Sequence, residues 1–281
     1  LSIRRQRQMC IRDRLAAAEQ VGIVLNSVCG GRGTCGKCLV QVMGESAPVK
    51  ACLYAVRSNL VVTIPESSRF FEQQILGAGS AGPVELRPGV SKVTVEISAP
   101  SLNDLRSDKN RLLAAVNAQR TESACRTLSL AALRQLPLAS RNGTFIVTAV
   151  CRDDEVITVE TGDTTESLWG LAADVGTTTV VVSLVNLRDG EIAATAAKTN
   201  PQVSFGDDVI SRIEASRTHV NGLQTLQQRI IDGLNQLIDE LCQKTGVRPE
   251  QIYEMTVAGN TTMEHLLLGI PVEQIAQAPY V

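Results

Sequence analysis

The stretch Leu171-Ala172-Ala173-Asp174-Val175-Gly176-Thr177-Thr178-Thr179-Val180-Val181-Val182-Ser183-Leu184-Val185-Asn186-Leu187 decides the fold of the last third of the chain. Three apolar residues run as a buried strand into a short polar loop, and the β-branched run after it predicts a second strand over 180–187. Asp189-Gly190 is a hairpin signal, so a third strand is expected up to Thr199. The segment 174–179 therefore sits inside a three-strand meander. Backbone N–H groups and threonine hydroxyls at such a turn can meet phosphate oxygens, and Gly176 omits the Cβ that would block their approach. Asp174 offers the hard oxygen that hydrated Mg2+ prefers. A strand ending in Asp-x-Gly also occurs as a plain turn, but the elements that follow favour the phosphate reading. They are a helix over 207–217 and a longer one with Leu223, Leu226, Ile230, Leu234, Leu237 and Leu241 on one face, stopping at Gly246. A strand over 253–257 comes next, then a short helix opened by Gly259-Asn260-Thr261-Thr262-Met263-Glu264.

Four cysteines, Cys29, Cys35, Cys38 and Cys52, form the pattern C-x5-C-x2-C-x13-C, the first three within CGGRGTCGKC at 29–38. Thiolates of an iron–sulfur cluster must converge on one small inorganic core, so three of them have to come from one tightly folded loop. Gly30, Gly31, Gly33 and Gly36 make that loop possible and let backbone N–H groups approach the sulfurs. A zinc knuckle can use similar residues, yet zinc sites generally pair two C-x2-C units, and this stretch has one. Leu15, Ala18, Val21, Leu25 and Val28 recur every three or four residues and predict a helix ending at the glycine loop. Strands are expected over 39–42 and 61–64, the second closed by Pro65. Cys10, Cys125, Cys151 and Cys242 are far apart and read as small buried hydrophobes, and His219 and His265 have no partner spacing.

Composition bounds the rest. With 281 residues, 44% of them hydrophobic, the chain can fill the cores of two or three domains. A net charge of −2 and 3% aromatics exclude a general nucleic-acid binder. No apolar run reaches the roughly 18 residues of a membrane helix and no secretory leader is visible, so a cytoplasmic protein is expected. Residues 1–14 carry Arg4, Arg5, Arg7, Arg12 and Arg14 against Asp13, show no periodicity, and read as a non-native flank. The Gly- and Pro-rich segment 66–90 reads as a linker, and 91–168 as a small α/β domain with strands over 92–97, 144–150 and 155–160 and helices over 105–116 and 128–135.

The cysteine loop resembles the 2Fe-2S ferredoxins of the plant and adrenodoxin type, nearer the adrenodoxin branch because five residues separate the first two cysteines. By that resemblance 15–65 is a ferredoxin-like β-grasp whose first hairpin is missing. The 169–281 segment resembles the first lobe of the ASKHA (actin-like ATPase) fold. The expected fold class is thus multidomain α/β and α+β.

Joined in one chain, these parts resemble the reductive activators of corrinoid proteins. The matching stretches are CGGRGTCGKC, ADVGTTTVVVSLV at 173–185, Asn200-Pro201-Gln202 with SFGDDVI at 204–210, and AGNTTM at 258–263. The resemblance implies ATP-dependent electron transfer from a 2Fe-2S cluster to an inactive Co(II) corrinoid, restoring the Co(I) used in methyl transfer. It implies Cys29, Cys35, Cys38 and Cys52 as cluster ligands, Asp174, Gly176, Thr177, Thr178 and Thr179 as the Mg-ATP loop, and Gly259, Asn260 and Thr261 as further nucleotide contacts. A corrinoid protein or corrinoid-dependent methyltransferase and an upstream electron donor are the implied partners, with neither nucleic acid nor membrane among them. No catalytic base is assigned. An electron-transfer module with a non-hydrolysing, ATPase-like docking domain is the alternative. Because the β-grasp hairpin expected before the first helix is missing and no second Asp-x-Gly-Thr loop follows Thr179, a chain truncated at both ends is expected, with one ATPase lobe and no activity alone.

Overall fold

The computed structural model describes residues 18, 25, 33–55, 60–65, 68, 85–120, 123–141 and 143–280. Among them are three sheets, each with its own core. In the first, β1 (Leu39–Val42) pairs antiparallel with β2 (Val49–Lys50) on one side and β3 (Val62–Thr63) on the other. Alternation puts Val40 and Val42 on the inner face, where they meet Cys38, Ala51, Val62, Ile64, Ala18 and Leu25. Ala18 is helical, as the apolar spacing predicts, but Leu25 lies in a β-bridge and not in a helix. Spacing marks a buried face and does not by itself fix where a helix stops. Leu15, Val21 and Val28, the 1–14 flank and most of 66–90 lie outside the described residues.

The second sheet has the order β4-β6-β7-β5, built from β4 (Val90–Glu96), β5 (Thr127–Leu128), β6 (Ile146–Arg152) and β7 (Glu155–Thr161). The β5 and β7 strands run parallel and the other pairs antiparallel. Helices α1 (Asp108–Gln119) and α2 (Leu130–Ser140) close its core through Leu112, Val116, Ala132, Leu136 and Ala139. Each helix starts at a serine cap: Ser107 Oγ accepts from Asn110 N and Ser129 Oγ from Ala132 N. The Ser129 hydroxyl also donates to Ile157 O at 2.7 Å, tying α2 to β7. Ser129→Ala removes both bonds and is expected to cost about 1–2 kcal/mol in chemical denaturation. The second helix outruns its predicted end and continues through Pro137. Leu133 and Pro137 are exposed, so water can serve the carbonyl that loses its helical donor.

The third sheet has the order β10-β9-β8-β11. The predicted meander forms from β8 (Trp169–Val175), β9 (Thr179–Asn186) and β10 (Ile192–Thr199), all antiparallel. Two helices, α3 (Val209–Thr218) and α4 (Gly222–Thr245), then carry the chain back to β11 (Ile252–Gly259), which lies parallel to β8 and leads into α5 (Thr261–Leu268). On α4, Leu226, Ile230, Leu234, Leu237 and Leu241 are buried on one stripe and Leu223 packs at its margin. Gly246, at φ 74°, ends the helix by donating its N–H to Cys242 O.

The second and third sheets meet where Val90, Leu168 and Leu187 are buried together with Ile157 and Tyr253. Beside this patch Lys92 Nζ, 2% exposed, donates to Glu160 Oε2 at 2.8 Å and Thr164 O at 3.0 Å. It stands 4.7 Å from the centre of the Tyr253 ring, whose hydroxyl donates to Glu160. Arg152 Nη2 donates to Tyr253 O at 3.0 Å. Among the described residues no helix is long and apolar enough to cross a membrane.

Candidate functional site

Residues 176–178 connect β8 to β9. Gly176 N–H donates to Thr179 O at 2.9 Å, and a Cβ on Gly176 would lie 2.7 Å from that same oxygen. The nearest reason for glycine is thus the closure of the turn itself, ahead of room for a ligand. Because β8 and β11 are parallel, with Asp174 opposite Ala258 and Val175 opposite Gly259, their carboxyl ends release two loops side by side. Asn260 joins them. Its Nδ2 donates to Thr177 Oγ1 at 3.1 Å, while its Oδ1 caps α5 by accepting from Met263 N at 3.1 Å. Asp174, Gly176, Thr177, Thr178, Thr179, Gly259, Asn260 and Thr261 therefore converge from two segments about 80 residues apart, as sequence-separated motifs of one site must. Asp174 and Asn260 are exposed and the 176–179 loop is half-buried.

Beneath the loop lies a buried polar cluster that the sequence reading did not identify. Asn200 Nδ2 donates to Gly176 O at 2.8 Å and Asn200 N to Thr178 O at 2.8 Å. Arg212 donates to Thr177 O, to Gly206 O at 2.9 Å, to Gln202 Oε1 at 3.3 Å and to Met263 Sδ at 3.1 Å. Gln202 Nε2 donates in turn to Leu226 O at 2.9 Å. Burial lowers the Arg212 pKa to about 10, so the guanidinium stays charged at neutral pH. The signal available in the sequence was an arginine on the stripe Val209, Arg212, Ile213, Ser216, which otherwise reads as the inner face of α3.

In the cysteine segment, Gly33 and Gly36 take φ of 74° and 67°, the left-handed conformation that a tight loop of this kind requires. The β1–β2 hairpin brings Cys38 and Cys52 together, since Leu39 faces Lys50 and Ala51 N donates to Cys38 O. Their sulfurs are 3.4 Å apart. That is too long for a disulfide, about 2.05 Å, and close to the roughly 3.8 Å between tetrahedral thiolates when the metal–sulfur bond is about 2.3 Å. The pair therefore fits two ligands on one metal. Cys35 is half-buried in the same loop, and Cys29, Gly30 and Gly31 lie outside the described residues. Among the described residues no group of three His, Cys, Asp or Glu side chains converges. Cys125 and Cys151 are buried in the second core, where burial and then the neighbouring Cys125 push the Cys151 thiol up to about 12, a state of low reactivity.

Residues 79–166 match the family model of the RACo linker region and residues 169–281 that of the RACo middle region. The sheet of β4 to β7 therefore falls in what that family describes as its linker. The corrinoid activation enzyme RamQ of Eubacterium limosum is 28% identical over 264 residues, a match covering 92% of this chain and 43% of RamQ. A solved structure of a reductive activator for a corrinoid,iron-sulfur protein is 35% identical, with a TM-score of 0.63, covering 96% of this chain and 48% of its own. The chain spans about half the length of these relatives. It belongs to the reductive activators of corrinoid proteins.

Proposed function

We propose that the chain serves an ATP-dependent reductive activator, which delivers an electron to the Co(II) of a corrinoid protein and so restores Co(I) for methyl transfer. The observation that carries this reading is the juxtaposition, in a chain of this family, of the 176–178 loop with the Asn260-capped start of α5. A turn and a helix N-terminus, each with backbone N–H groups to offer, are thereby brought side by side, as recognition of a polyphosphate requires. The meander backed by α4, with β11 parallel to β8, supports the first lobe of an ASKHA ATPase. Asp174, exposed beside the loop, would take a hydrated Mg2+.

Cys29, Cys35, Cys38 and Cys52 would hold a 2Fe-2S cluster, and the 3.4 Å approach of Cys38 to Cys52 supports that assignment. When bound, such a cluster supplies a one-electron carrier. Co(II)/Co(I) couples generally lie below ferredoxin potentials, so the transfer is uphill unless nucleotide binding or hydrolysis drives a change of conformation. A corrinoid protein and an upstream electron donor are the partners this chemistry needs.

Asp174→Ala tests the reading. In the full-length protein it is expected to lower Mg2+-dependent ATP hydrolysis by about 10–100-fold while leaving the visible spectrum of the cluster unchanged, because the two sites share no ligands. Wild-type protein that binds its corrinoid partner without any ATP turnover would instead support a docking domain, and the ATPase reading would fall.

A further inference from the structure

Arg212 is a cation without an anion of its own. Its side chain is fully buried, yet its hydrogen-bond partners are all neutral: three oxygens, on Thr177, Gly206 and Gln202, and the Met263 sulfur. Asp207 and Asp208 stand near enough to offset part of the burial cost, but among the described residues neither bonds to it. A buried charge in this condition is costly, and folds retain one where something else balances it.

The contacts of Arg212 also set the direction of the loop amides. In a planar trans peptide, the C=O of one residue and the N–H of the next point opposite ways. Asn200 draws Gly176 O toward the buried cluster, and Arg212 draws Thr177 O the same way. The N–H groups of Thr177 and Thr178 consequently face away from the cluster, and neither has an acceptor among the described residues. Through Met263, in the first turn of α5, Arg212 touches the other half of the site as well.

We infer that Arg212 is a positioning residue for polyphosphate binding: it holds the Thr177 peptide so that the next N–H faces the ligand, and it provides a buried positive charge whose counterpart is the polyphosphate of the nucleotide. The inference rests on the nucleotide reading above and extends it to a residue that would act through the loop.

Mg-ATP affinity by calorimetry, and melting temperature without nucleotide, are to be compared in the full-length protein for wild type, Arg212→Lys, Arg212→Met and Gln202→Glu. Gln202→Glu sets a carboxylate against the guanidinium and cancels the charge in nearly the same shape, at the cost of the Nε2 donor to Leu226 O, so its affinity is read beside its melting temperature and beside the Arg212→Lys and Arg212→Met pair. Arg212→Met and Gln202→Glu are each expected to weaken Mg-ATP binding at least tenfold, about 1.4 kcal/mol, and Arg212→Lys to lose less because it keeps the charge. If folded Gln202→Glu binds Mg-ATP as wild type does, or if Arg212→Lys and Arg212→Met lose affinity equally, Arg212 is structural and the proposal is overturned while the nucleotide reading stands. Should one of Arg212→Met and Gln202→Glu fail to fold, the other decides by its affinity relative to wild type. Wild-type protein that does not bind Mg-ATP overturns the nucleotide reading and this proposal together.

Discussion

Alanine at Cys52 is expected to abolish the metal centre. The Cys52 sulfur lies 3.4 Å from that of Cys38, brought there by the β1–β2 hairpin, so its loss leaves one metal with an open position. Anaerobic reconstitution with iron and sulfide should give the wild-type protein one 2Fe-2S centre, read by visible absorption and by iron and acid-labile sulfide content. The same treatment of Cys52→Ala should give nearly none. Cys125→Ala is the control, since Cys125 is buried in the core of a different sheet, and it should load fully. Zinc without labile sulfide in the wild type would remove the redox assignment altogether.

Glu160→Ala is expected to be the most damaging single change to stability among the ion pairs of the described residues. It strips the carboxylate from Lys92, whose side chain is only 2% exposed, and takes the acceptor from the Tyr253 hydroxyl. Breaking a buried pair from one side typically costs about 3–5 kcal/mol, because the remaining charge stays buried without a partner. Urea denaturation should show a loss near the lower figure, as Glu160 itself is 21% exposed. The double change Lys92→Met with Glu160→Met should recover part of it, since no charge is then stranded. A loss below about 1 kcal/mol would mean that the pair behaves as a surface contact. Burial, and then the hydrogen bond to Glu160, push the Tyr253 phenol above its ordinary value of 10. With the folded pKa raised, this contact's share of stability is complete below pH 10 and declines at higher pH as the phenol ionises.

Much of the third sheet was legible because its signals are local. The apolar approach to Asp174, the β-branched run after Thr179, the Asp189-Gly190 turn and the leucine stripe of α4 each act within a few residues, and each formed where expected. Helix ends were less legible. Pro137 is a stop signal in sequence, but the packing of Leu136 and Ala139 carries α2 past it.

The sequence by itself determined the parts of the candidate sites: a glycine-bounded cysteine loop, a strand–loop–strand with Asp174 at its edge, and an Asn260 cap ready to open a helix. Tertiary structure alone decided which parts meet. The parallel pairing of β8 with β11 spans roughly 80 residues of chain, and it is this register that sets Gly259 beside Val175 and Asn260 against Thr177. The same holds for Arg212, an ordinary helical arginine in sequence, which becomes the support of the loop once α3 is folded against it. Lys92, Glu160 and Tyr253 likewise come from three distant strands. The physical reason is common to all three cases. Local propensity and periodicity choose helix, strand and turn within a short window, whereas long-range partners are selected by which faces can be buried together and which polar groups must then be satisfied.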